Sequence, residues 1–158
     1  MNYLLRKIKA LLWEKYVVIT SENLQEFGKE LEVEDNALSV YLVSSDKIEL
    51  ATIALASNRE SVQKVEYSLI KLEDFEAACL ELREIPADTP YEEANPLHRD
   101  IVISNDNDLL KVANLIKNGE QGLKIKPDVK DLLKKAHKEN KLNVQKMKPK
   151  LRKELGIK

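Results

Sequence analysis

The sequence predicts an α+β fold: a small antiparallel sheet, a β-meander plus one or two further strands, packed with helices and followed by a basic helical C-terminal extension. Three observations carry that expectation. Short apolar, β-branched runs cluster between Leu38 and Leu72, stretches of helical periodicity surround them, and the charge changes sign near residue 120. Residues 21–120 carry 9 Lys+Arg against 22 Asp+Glu, whereas residues 121–158 carry 13 against 4. The formal net charge of −1 therefore hides an acidic body, 1–120, and a basic extension, 121–158. A chain of 158 residues is long enough for one substantial core, and at 34% its charged fraction exceeds the ~25% of ordinary globular domains.

At the N-terminus, Leu4, Leu5, Ile8, Leu11 and Leu12 share one face of a helical wheel with Arg6, Lys7 and Lys9 outside it, which predicts an amphipathic first helix ending near Trp13. The β-branched run Val17-Val18-Ile19 then predicts a strand over Tyr16–Thr20. Ser21 is placed to cap a short helix using Leu24, Phe27 and Leu31, with Gly28 weakening its centre. Leu38–Val43 and Ile48–Ala56 flank Ser44-Ser45-Asp46-Lys47 and read as a β-hairpin, and Val65–Leu72 reads as the third strand of a meander.

Asp74 is expected to start a helix that buries Phe75, Ala78, Cys79 and Leu82. Pro86, Pro90 and Pro96 predict a surface loop from Pro86 to Arg99. Ile101-Val102-Ile103 reads as a short strand. The next helix is capped by Ser104 or Asn105, buries Leu109, Val112, Ala113 and Ile116, and ends at Asn118-Gly119. Pro127 opens a helix to about Lys141 with Val129, Leu132, Leu133 and Ala136 inward, and Pro149 precedes a short helix that stops at Gly156. The helices are expected to lie on one side of the sheet.

The chemistry-bearing motifs are sparse. Gly28, Gly119, Gly122 and Gly156 are the only glycines, so no phosphate-cradling loop or dinucleotide fingerprint exists, and nucleophile elbows and zinc-protease helices are also missing. A catalytic site, a cofactor and a metal are therefore not expected. His98 stands near Glu92, Glu93 and Asp100, but a solvated loop histidine accounts for it more simply than a general base does. Asn105 to Asp108 are explained by capping rather than calcium, since the glycine and distal glutamate of an EF-hand loop are absent. The lone Cys79 fits a buried helix face, and one cysteine cannot form an internal disulfide, which suits a reducing compartment. With no secretion signal and no apolar run approaching the ~20 residues of a membrane span, the expected location is the cytoplasm; a membrane-surface role for the first helix is the less favoured reading.

The extension holds the clearest functional signal. Lys130, Lys134, Lys138 and Lys141 form a stripe on the predicted helix, and Lys146, Lys148, Lys150, Arg152 and Lys153 follow. These nine are the candidate phosphate-contacting residues. The segment contains no aromatic residue for base stacking and one arginine, so contact with DNA or RNA would be to the backbone, without sequence preference. The sixteen residues Leu142–Ile157 resemble the first half of a SAP-type DNA-binding helix pair, but Pro149 interrupts the helix that family needs, and no function is transferred from it.

The expectation is a small, non-enzymatic, cytoplasmic accessory or regulatory protein that binds another protein. Two alternatives stand beside it: a nucleic-acid-binding accessory factor using the nine basic residues, and an inhibitor or immunity-type protein presenting its acidic body to a basic partner.

Overall fold

The structure, a computed structural model, describes residues 1–158. Six antiparallel strands form one sheet in the order β4-β5-β2-β1-β3-β6. In chain order the elements are β1 (Asn2–Lys7), α1 (Ala10–Glu14), β2 (Ala37–Ser44), α2 (Ile48–Ser57), β3 (Val65–Lys71), α3 (Leu72–Ala77), β4 (Leu82–Glu84), β5 (His98–Val102), α4 (Asp106–Asn118), β6 (Glu120–Lys124), α5 (Lys126–Lys138) and α6 (Pro149–Glu154). Short 3-10 segments cover Leu24–Leu31 and Glu92–Leu97. The α+β class read from the sequence is thus the class of the fold.

The predicted first helix is instead the central strand. β1 pairs with β2 on one side and β3 on the other, and its consecutive residues Leu4 and Leu5 point to opposite faces, each fully buried. Leu4 joins a core with Trp13, Phe27, Phe75, Val112 and Ile116 from α1, the 24–31 segment, α3 and α4. Leu5 joins another with Ala51, Ala54, Leu133 and Leu151 from α2, α5 and α6, and with Leu155 just past α6. A strand buried on both faces loses the apolar–polar alternation that marks a half-exposed strand. Helices therefore cover both sides of the sheet, not one.

The second arm of the expected hairpin is helix α2, so no meander forms. Ala51, Thr52, Ile53, Ala54, Ala56 and Ser57 are all buried, leaving no polar stripe to reveal the helical period. Tyr16–Thr20 is not a strand. Val17 and Val18 are exposed there, while Asn114 of α4 clamps Ile19 by accepting from its N–H (3.1 Å) and donating to its carbonyl (3.0 Å). The helix expected from Asp74 is short: Cys79, at φ 56°, lies in left-handed geometry and is exposed rather than buried, and Leu82 belongs to β4. The 86–99 segment is no simple surface loop, since Thr89, Pro90, Tyr91 and Ala94 are buried and β5 begins at His98.

Other expectations hold. β3 spans Val65–Lys71, and the Asn105 side chain accepts the Asp108 N–H (2.8 Å) at the start of α4, which ends at Gly119. Pro127 and Pro149 sit in the first turns of α5 and α6, where a missing N–H costs nothing.

The change of charge at residue 120 is not a change of core. β6 pairs with β3, and Val129, Leu133, Ala136, Leu142, Met147, Leu151, Leu155 and Ile157 complete the core beneath Leu5, Tyr41 and Tyr67. A chain ending at Glu120 is expected to lose cooperative unfolding, read by circular dichroism in urea. In the full chain, Leu151→Ala is expected to cost about 2–5 kcal/mol in the same titration. Near α1, the Glu30 carboxylate accepts both the Lys9 N–H and the Trp13 indole N–H, each at 2.9 Å. Glu30→Ala strands these donors and is expected to cost about 1–3 kcal/mol, with a shift of the Trp13 fluorescence.

Candidate functional site

Three groups of polar side chains merit a functional reading: the lysines of the C-terminal segment, a polar cavity around His98, and a basic crevice beside α1.

Of the nine candidate phosphate-contacting residues, Lys134, Lys138, Lys148, Lys150 and Lys153 are exposed and Lys130 is half-buried, none of them in an ion pair. Arg152 is half-buried, and its Nε is enclosed without a hydrogen-bond partner. Lys141 and Lys146 are engaged. Lys141 meets Glu139 (3.4 Å) and Glu93 (3.6 Å), and those carboxylates hold its ammonium above its ordinary pKa. Lys146 reaches Asp88 and Glu92, which likewise raise it. Asn143 completes this strap, its side-chain amide donating to Glu92 (2.9 Å) and its backbone N–H to the Pro90 carbonyl (2.7 Å). The acidic 86–93 segment thus lies against 141–146 and occupies two of the nine cations.

His98 stands at the start of β5, not in a solvated loop. It packs edge-on against Tyr41, ring centroids 5.5 Å apart, and its Nδ1 donates to the Ile85 carbonyl (2.7 Å). The other ring nitrogen, Nε2, lies 3.9 Å from Asp100. His98 and Tyr41 line a cavity of about 320 Å³ shared with Lys7, Asn58, Asp88 and Thr89. Burial pushes the Tyr41 phenol up to about 12, so it stays a neutral donor. No hydroxyl or thiol is hydrogen-bonded to His98, so the cavity lacks the paired nucleophile and base of acyl transfer.

The third group escaped the sequence reading. Lys7 pairs with Tyr67 in the β1–β3 register, and the Ile8 N–H reaches the Glu66 carbonyl (2.9 Å), so the chain leaving β1 runs beside the chain entering β3. This register opens a crevice of about 600 Å³ lined by Ile8, Leu11, Lys9, Lys15, Arg59 and Lys64, among others. Leu11 is 78% exposed, and Glu66 is the only carboxylate lining the crevice. Glu66 is already committed to Lys64 (3.2 Å) and the Ala10 N–H (3.2 Å). Burial lowers the Arg59 guanidinium against the opposing pull of Glu66; Lys7, which lines the His98 cavity rather than this crevice, is lowered by burial and by Arg6, Arg59 and Lys9 against the pull of Glu30. The result is a concentration of cations around exposed apolar surface. Its sequence signal was divided between residues 8–15 and 59–66, which only strand pairing brings together.

Elsewhere, no three His, Cys, Asp or Glu side chains converge to hold a metal, and no helix is long and apolar enough to cross a membrane. No protein-family model, curated protein or solved structure matches the chain.

The strap makes a pH prediction. Asn143 and then Lys146 hold the Glu92 carboxyl below its ordinary value, so its stabilising effect is complete above the unfolded carboxylate range and is lost as pH falls through the lowered folded value. Hydrogen exchange at the Asn143 amide, corrected for intrinsic rate, is expected to accelerate on acidification and in Glu92→Gln at neutral pH.

Proposed function

We propose that this protein is a non-enzymatic, cytoplasmic accessory or regulatory protein that binds an acidic segment of another protein in the crevice between α1 and residues 59–66. The supporting observation is the composition of that crevice, where Lys9, Lys15, Arg59 and Lys64 surround exposed Leu11 with one committed carboxylate. Complementary charge steers an acidic partner, and an apolar side chain against Leu11 and Ile8 supplies desolvated contact area. Arg59 is half-buried, and a partly buried cation is screened less by salt than a solvated one, which favours this surface over the exposed lysines.

A second reading, binding of nucleic-acid phosphates by the C-terminal segment, is supported by Lys130, Lys134, Lys138, Lys148, Lys150 and Lys153 being free of ion pairs. One experiment separates the two. Amide chemical shifts of the full chain are followed during titration with a short acidic peptide carrying leucine, and separately with random-sequence duplex DNA. The crevice reading expects the peptide to move signals of Lys9–Lys15 and Arg59–Glu66, and Lys15→Glu/Arg59→Glu to weaken binding on the order of tenfold or more. Duplex binding that moves only residues 126–153, with affinity falling steeply with salt, would replace it with the second reading.

A further inference from the structure

The two edges of the sheet are unequal. At β4 the edge is three residues long, Arg83 pairs with Glu81 (3.4 Å), and Glu84 pairs with Arg99 (3.8 Å), so its charges are spent within the molecule. At β6 the edge is five residues long, Glu120-Gln121-Gly122-Leu123-Lys124, and beyond its ladder with β3 these five residues take part in no other hydrogen bond. Neither Glu120 nor Lys124 forms an ion pair. Leu123 and the following Ile125 are about half exposed. An open edge of this kind is a template for another strand.

The order of residues along β6 identifies that strand. Antiparallel pairing of β6 with a second β6 about Gly122 places Glu120 of each copy opposite Lys124 of the other, Gln121 opposite Leu123, and glycine opposite glycine at the axis. The two charge pairs are formed by symmetry from a single sequence. Glu120, Gly122 and Lys124 share the sheet face of Tyr67, whose ring fills the space a Gly122 Cβ would need, so the axis is backed by an aromatic ring in each copy. The neighbouring helix continues the pattern. A crevice of about 290 Å³ beside the edge is lined by Lys124, Asp128, Asp131 and Lys135, and neither aspartate has a partner within the chain. The other acidic residues of the C-terminal segment are used internally: Glu139 by Lys141 and Glu154 by the Val62 N–H.

We propose that β6 pairs antiparallel with β6 of a second copy of this chain, joining two six-stranded sheets across a two-fold axis at Gly122. The interface is isologous and closed, so pairing ends at the dimer. It uses the edge strand and leaves the α1 crevice of each copy open, so it stands independently of the proposed partner.

The test is sedimentation velocity of the full chain over a broad concentration range, with circular dichroism melts as the check on folding. The wild type is expected to shift from monomer to dimer as concentration rises. Lys124→Glu and Glu120→Lys each set like charges opposite one another at two positions, and each is expected to weaken association about tenfold while folding normally. The double variant Glu120→Lys/Lys124→Glu restores both pairs and is expected to dimerise again. The two single variants mixed together are expected to form a heterodimer, since their charges complement in that register. A wild type that stays monomeric at every concentration overturns the proposal and leaves the edge to an extended segment of another protein. A dimer indifferent to the single reversals, or single variants not rescued by the double exchange or by mixing, overturns it as well.

Discussion

Leu4 and Leu5 are consecutive residues of one strand and both are inaccessible to solvent, which is possible only if the sheet is covered on its two faces. The rest of the architecture follows from that requirement. Burying one large aliphatic side chain stabilises by roughly 1.5–3 kcal/mol, and a central strand gains this on each face only when both helical layers are present. The layer beneath Leu4 comes from residues 10–31 and 72–116, and the layer beneath Leu5 is completed by residues 129–157. The first strand therefore depends on the last helix. Such long-range dependence makes the acidic and basic parts one cooperative unit whatever their opposite charge.

The same strand links the core to the basic crevice. Arg6 follows Leu5 and is itself buried, donating to the carbonyls of Ser39 on β2 and Glu30 in the 24–31 segment, each at 2.8 Å. Burial lowers the pKa of its guanidinium, Glu30 opposes that shift, and Nε remains without a partner. Removing Arg6 would leave two carbonyls without their donor. Glu30 in turn holds the Lys9 N–H and the Trp13 indole, which fixes α1 where it forms one wall of the crevice. A chain of polar contacts thus runs from the sheet centre to a surface that concentrates charge.

What was legible in the sequence was what local chemistry determines. The Asn105 cap, the prolines opening α5 and α6, and the inward residues Val112, Ala113, Ile116, Val129, Leu133 and Ala136 were all readable, because caps, prolines and one-sided burial leave marks within a few residues. β1 and α2 were misread for a common reason. Each is enclosed by neighbours on more than one side, and enclosure erases the polar positions that distinguish a period of 2.0 from one of 3.6. At β1 the wheel placed Leu4 beside Leu5 on one face, whereas the pleat sends them to opposite cores. The crevice was invisible for a different reason: Lys15 and Arg59 are forty-four positions apart, and only the β1–β3 pairing places them together.

Counting lysines ranked the C-terminal segment first, but the worth of a charge depends on where it sits. A fully solvated ammonium interacts through water and is screened within about 8–10 Å at ordinary salt. Lys134, Lys138, Lys148, Lys150 and Lys153 are exposed in this sense, and the acidic 86–93 segment compensates Lys141 and Lys146. Arg59 differs, since it is half-buried in the crevice wall and burial lowers the proton affinity of its guanidinium against the pull of Glu66. An incoming carboxylate there would offset that desolvation, with Lys9 and Lys15 in the same crevice adding attraction, a gain that no isolated solvated lysine offers. A half-buried guanidinium with lysines around it is therefore the stronger anchor for an acidic ligand, even against a segment whose charge excess is nine.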